Sequence, residues 1–217
     1  MIHIKAFTFS PISENTYVLY NNEGKAIIID PGCYFPNEQE TLKNFLTDNS
    51  LTPVYLLNTH CHLDHVFGNK WVHETYGLEP HLHPSEEAML ALAPVSGERW
   101  GLPFENYAGP LHFLNDGDTV FLGDTEIQVI LAPGHSPGSI CFYIPSQGDL
   151  MGGDVLFRGS IGRTDLPGGD HQTLLSSIRR ELFNLPEETT VYPGHGPETT
   201  IGEEKENNPF VGIRARF

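Results

Sequence analysis

Cysteines, basic residues and long apolar runs are all scarce in this sequence. Its 217 residues hold three cysteines, Cys33, Cys61 and Cys141, set far apart. An odd, scattered set does not make a disulfide framework and agrees with a reducing compartment. Cys33 and Cys141 read as buried packing residues. Twelve Lys and Arg stand against 28 Asp and Glu, a formal charge of −16. That deficit excludes a broad nucleic-acid surface, because neutralising phosphates takes Lys and Arg. No run of about 18 apolar residues occurs, so no membrane-spanning helix is expected. The opening residues, MIHIKAFTFSPISENTYVLY, lack the basic start, apolar stretch and cleavage site of a secretory signal. Cytoplasmic residence is therefore the expectation. Gly/Ser linkers and low-complexity segments are also missing. With 39% hydrophobic residues, a single domain over residues 1–217 with a proper core is expected.

What is present is a repeated pattern of apolar strands that stop at His or Asp. Alternation marks strands at residues 3–7, 16–20 and 26–29, with Asn21-Asn22-Glu23-Gly24 as a hairpin turn. Residues 37–49 have helical spacing, with Leu42, Phe45 and Leu46 on one face. A buried strand at 54–57 runs into Thr59-His60-Cys61-His62-Leu63-Asp64-His65, and a helix follows to about residue 76, capped by Gly77. The second half reads as strands at 119–122, 126–131, 140–144, 149–152 and 189–192, with a helix over about 170–184. Residues 84–110 fit this scheme least: a lid, a packing element or a dimer contact are all open. Strands covered on both faces by other layers suggest an α+β fold, a four-layer αβ/βα sandwich. Its two face-to-face mixed sheets would carry helices outside.

Each His or Asp motif lies where an apolar strand ends, and sites in α/β proteins form at the carboxyl ends of strands. The cluster His60-x-His62-x-Asp64-His65 offers more donors than one small cation needs, since a catalytic zinc typically takes three. Adding His135, Asp154 and His195 completes a set suited to two ions about 3.5–4 Å apart. His60, His62 and His135 are expected on one ion, and Asp64, His65 and His195 on the other. Asp154 bridges, because a carboxylate has two oxygens for two cations. Asp30, at its own strand end, is expected to support a ligand histidine. Two divalent ions are the expected cofactors: zinc, with iron or manganese as alternatives. His3, His73, His81, His83 and His112 read as surface or packing residues. His171 either helps orient the site or begins a helix capped by Asp170.

These residues resemble a known family. Thr59-His60-Cys61-His62-Leu63-Asp64-His65-Val66-Phe67-Gly68-Asn69, Pro133-Gly134-His135-Ser136-Pro137-Gly138, Gly153-Asp154 and Pro193-Gly194-His195-Gly196 resemble the ordered motifs of the metallo-β-lactamase superfamily. The stretch Gly153–Asp170 and the tail Pro193–Phe210 are similar to the short bacterial glyoxalase II type. The resemblance implies the αββα fold and hydrolysis of S-2-hydroxyacylglutathione, such as S-lactoylglutathione to lactate and glutathione. Asp64 and Asp154 are then the residues placed in the reaction itself. Arg163 matches a basic position expected to hold the anionic substrate, or else pairs with Asp165 or Asp170. Asp165 stands where the family carries an aromatic residue. No C-terminal glutathione-binding helical domain is expected. The implied partner is a small anionic thioester, glutathione-linked or on another thiol carrier, bound by a monomer or homodimer.

Two other readings stay open. Persulfide dioxygenases resemble the chain around Gly162-Arg163-Thr164-Asp165, and would place one iron on His60, His135 and Asp154. A lactonase or β-lactamase is the other hydrolase alternative.

Overall fold

The structure, a computed structural model, describes residues 1–215. Its contacts gather into two compact units: Met1–Leu114 with Phe121–Thr125, and Asn115–Val120 with the chain from Glu126 on. Among the described residues no helix is long and apolar enough to cross a membrane.

The first sheet is built from β1 (Ile2–Phe9), β2 (Glu14–Asn21), β3 (Lys25–Ile29), β4 (Thr52–Leu57), β5 (Pro80–Leu82) and β6 (His112–Phe113), paired in that order. The first three strands are antiparallel neighbours and the rest run parallel. The turn into β3 forms as its residues dictate. Asn21 Oδ1 accepts from Glu23 N and Lys25 N at 3.0 and 3.1 Å, and Gly24 supplies the positive φ of 77°. Ala26, Ile27, Ile28 and Ile29 are wholly buried, as a strand covered on both faces requires.

Four helices complete this part of the chain: α1 (Pro36–Asp48), α2 (Leu63–Val66), α3 (Asn69–Tyr76) and α4 (Glu87–Trp100). The helix expected to run on from the His/Asp cluster is broken between α2 and α3, at Phe67-Gly68, and ends at Gly77 with φ 71°. Leu42 and Leu46 of α1 and Val72 of α3 pack on Val18, Ile28 and Leu56. Residues 84–110 contain α4, whose Met89, Leu90 and Ala93 pack on Cys61, Leu63, Val66 and Phe67. Pro94 inside it hides the helix from a sequence reading. A proline costs a helix interior about 3 kcal/mol, whereas burying Met89 and Leu90 contributes about 1.5–3 kcal/mol each. Tertiary packing therefore outweighs local propensity here.

The second sheet has the order β14-β13-β10-β9-β8-β7. Its strands are β7 (Thr119–Leu122), β8 (Thr125–Leu131), β9 (Ile140–Ile144), β10 (Asp149–Gly153), β13 (Thr190–Pro193) and β14 (Thr199–Thr200). Between β10 and β13 come a small hairpin, β11 (Leu156–Phe157) and β12 (Ser160–Ile161), and helix α5 (His171–Arg180); α6 (Ile201–Asn207) follows β14. β10 is parallel to β13 and antiparallel to β9, so this sheet too is mixed. Leu174, Leu175 and Ile178 of α5 pack with Leu150, Val191 and Ile201. Asp170 caps α5 by accepting from Thr173 N at 2.7 Å, and His171 is its exposed first residue. This helix stops at Arg180, short of the expected residue 184. A separate 3-10 turn over Leu182–Asn184 follows.

Candidate metal centre

In the first unit, β4 ends at Leu57 and the chain turns sharply through Asn58-Thr59-His60-Cys61-His62 into α2. His60 and His65 are wholly buried and Asp64 nearly so. The His60 ring lies 4.8 Å from that of His62 and 4.1 Å from that of His65, centroid to centroid. His65 Nε2 is 3.8 Å from Asp64 Oδ2.

Asp30 organises this cluster. Its Oδ2 meets His65 Nδ1 at 3.0 Å and receives the Thr59 hydroxyl at 2.5 Å, while Oδ1 accepts from Thr59 N at 2.7 Å. The Thr59 oxygen in turn lies 3.1 Å from His60 Nδ1. A carboxylate thus fixes one imidazole directly and a second through a hydroxyl. Both are then oriented with Nε2 as the outward donor, as metal-binding histidines commonly are. Asp30, His60 and His65 offer donor atoms within 4.8 Å of one another. Both Asp30 oxygens are engaged by Thr59 and His65.

Three further groups hold the loop. The Asn58 and Asn69 amides bond to each other, Asn69 Nδ2 to Asn58 Oδ1 at 2.9 Å, and Asn58 Nδ2 also donates to His65 O at 3.1 Å. Glu86 Oε2 accepts from Cys61 N at 2.7 Å, between His60 and His62. Glu14 Oε1 lies 3.9 Å from His65 Nδ1. Burial pushes the Glu14 carboxyl well above the usual carboxylate range, partly opposed by His65.

The second unit gathers the remaining candidates. β10 and β13 are parallel neighbours with Gly153 opposite Pro193, so their carboxyl ends deliver Asp154 and His195 side by side. His195 Nε2 is 3.6 Å, and His135 Nε2 3.4 Å, from the same atom, Asp154 Oδ2. These distances exceed an N–H···O bond. Each matches the spread of about 3.3–3.6 Å between two ligands that share a tetrahedral ion at about 2.0–2.2 Å. His135 Nδ1 bonds to Arg163 O at 2.8 Å, which again turns Nε2 outward. In donor chemistry and ring orientation, the residues of both units fit divalent cations.

Arg163 reaches the site through its backbone. Its guanidinium forks onto Asp165, Nε to Oδ1 at 2.7 Å and Nη2 to Oδ2 at 2.8 Å, which holds the Asp165 carboxyl down to about 2. Thr59, Asn58, Glu86 and Glu14 escaped the sequence reading. For Thr59 a signal existed, since it directly precedes His60. For Glu14 and Glu86 there was none, because each meets the loop from a distant stretch of chain.

The family model described as the metallo-beta-lactamase superfamily matches residues 10–195. The chain belongs to this superfamily. Among relatives of the superfamily, hydroxyacylglutathione hydrolase GloC of Haemophilus influenzae is 34% identical over 216 residues, covering 99% of this chain and 100% of its own length. The crystal structure of BLEG-1 B3 metallo-β-lactamase matches with a TM-score of 0.88 and 41% identity, over 96% of this chain and 99% of its own. The di-iron-bound form of TTHA1623 matches with a TM-score of 0.87 and 40% identity, over 95% and 100%. The expected metallo-β-lactamase fold, α+β with two mixed sheets and helices, is thereby established.

Proposed function

We propose that the chain is a dinuclear metal-dependent hydrolase of thioesters, acting on S-2-hydroxyacylglutathione such as S-lactoylglutathione. The observation that carries this reading is the pair of imidazoles, His135 and His195, set 3.4 and 3.6 Å from one carboxylate oxygen of Asp154. The likeness to GloC over nearly the whole of both chains supports the thioester substrate. In this reading His60, His62 and His135 hold one ion, Asp64, His65 and His195 the other, and Asp154 serves both. When bound, the ions would supply Lewis acidity that brings water to hydroxide near neutral pH. The cofactor is zinc, iron or manganese; the di-iron form of TTHA1623 keeps iron in view.

The residues of the chain do the rest. Asp30 and Thr59 keep the His65 and His60 rings turned to their task. The Arg163 carbonyl does the same for His135. A thiol leaving group, with a pKa of about 8.5, departs as thiolate and needs no protein acid. The Arg163 guanidinium holds the anionic end of the substrate once Asp165 yields to it. The enzyme works in the cytoplasm on a small anionic thioester, as a monomer or homodimer.

The test couples elemental analysis of purified protein to a thiol-release assay on S-lactoylglutathione. Two metals per chain with turnover, and loss of turnover in Asp154→Ala, are expected. Hydrolysis of a lactam without thiol release would replace the substrate assigned here. Oxygen uptake with glutathione persulfide that tracks a single iron would replace the reaction itself.

A further inference from the structure

Glu204 lies on α6 and is 1% exposed. A carboxylate stripped of water costs several kcal/mol unless the protein supplies donors. Three are present. Thr199 Oγ1 donates to Oε1 at 2.6 Å, while Gly159 N and Asn208 Nδ2 donate to Oε2 at 2.9 and 2.7 Å. Asn208, wholly buried, reaches the same place: its Nδ2 also donates to Ser160 O at 2.9 Å, and its Oδ1 accepts from Phe210 N at 2.9 Å. Gly159 lies in the turn of the β11–β12 hairpin, and Ser160 is the first residue of β12. Glu204 of α6 and Asn208 just after it therefore grip the hairpin, Glu204 reaching a residue 45 positions earlier in the chain.

That hairpin is the span between Asp154 and Arg163. It has only two paired positions on each strand, Leu156 with Ile161 and Phe157 with Ser160. An isolated two-stranded hairpin is marginal at best in water. The hairpin and the two residues after it, however, lie against three ligand candidates. A Cβ on Gly162 would stand 1.9 Å from Asp154 O and 3.0 Å from His135 Nδ1. The Arg163 carbonyl accepts from the His135 ring at 2.8 Å. The Phe157 ring lies 6.4 Å from that of His195, nearly perpendicular to it.

We propose that Glu204 and Asn208 are positioning residues for the metal centre, clamping the β11–β12 turn so that Asp154 and the Arg163 carbonyl stay in register with His135. This rests on reading Asp154 and His135 as metal ligands; it does not depend on which substrate is cleaved.

The test uses the full chain loaded with cobalt(II), in wild-type form and as Glu204→Ala, Glu204→Gln and Asn208→Ala. Three readouts apply: the cobalt absorption bands, metal retention against a chelator, and amide exchange across residues 156–163. Glu204→Ala is expected to shift the bands and to weaken metal retention about tenfold, the usual loss when a group supporting a ligand is removed. Exchange should rise across 156–163 while β9 and α5 keep their protection. Glu204→Gln should recover most of the wild-type behaviour. Its amide oxygen still accepts from Gly159 and Asn208, and the Thr199 hydroxyl can turn to accept from its NH2. Asn208→Ala reports on the clamp if Glu204→Ala does not fold. Folded variants with wild-type bands and retention would overturn the proposal, as would protection lost evenly over the second unit. Wild-type protein that takes up no cobalt would overturn the ligand reading and this proposal together. Normal wild-type loading beside unchanged variants would overturn the proposal alone.

Discussion

Asp30 and His65 meet at 3.0 Å, Oδ2 to Nδ1, and the same carboxylate oxygen receives the hydroxyl of Thr59. One buried anion thus sets the orientation of two imidazoles, since the Thr59 oxygen also contacts His60 Nδ1. Supports of this kind raise ligand basicity and fix the tautomer. Asp30→Asn is expected to lower metal affinity about tenfold, measured by competition with a chelator. Thr59→Val should weaken it less, and Thr59→Ser should restore it. Wild-type affinity in a folded Asp30→Asn protein would refute the relay.

Gly162 is a contact no side chain can share. A Cβ there would meet Asp154 O at 1.9 Å, a backbone atom that cannot swing aside. Gly162→Ala should cost about 1–3 kcal/mol of stability, as overpacking does, read from denaturant unfolding. The displacement should also weaken metal binding. A variant that unfolds and binds metal like wild type would show that the hairpin gives way freely.

Cys33, Cys61 and Cys141 are all buried thiols. Burial pushes the Cys33 thiol far above the ordinary range, with the Glu14 charge acting in the same direction. The thiolate is the reactive form. Native protein should therefore react slowly with a disulfide-exchange reagent, and denatured protein should titrate all three thiols at once. Rapid labelling of Cys33 in the folded state would contradict the packing described for it.

Tyr192 gives a pH signature. Burial, aided by Asp149, raises its phenol from 10.0 to about 12. In that window the unfolded chain loses the proton and the folded chain keeps it, so stability falls as pH rises. The contribution is complete below pH 10 and disappears by about pH 12. Tyr192→Phe should flatten the alkaline decline in denaturant midpoint. An unchanged slope would mean that another group governs it.

Much of the fold was legible because its signals are local. The β9 strand lies at residues 140–144, as read from its apolar run. Asp170 caps its helix through a bond three residues on, and Gly77 ends another with a positive φ. α4 was illegible because Pro94 contradicts it locally, and only the contacts of Met89 and Leu90 with the His/Asp loop outweigh that signal.

The sequence by itself determined which residue types stand at the strand ends, and so the candidate donors His60, His62, Asp64, His65, His135, Asp154 and His195. Turn chemistry and strand alternation act over a few residues and need no partner. Only the tertiary structure decided what holds those donors in place. Asp30 meets Thr59 across 29 residues, Glu86 meets Cys61 across 25, and Glu204 meets Gly159 across 45. A carboxylate has no local preference that announces such a partner. Its choice is made when burial removes water and leaves the nearest N–H or O–H to take its place.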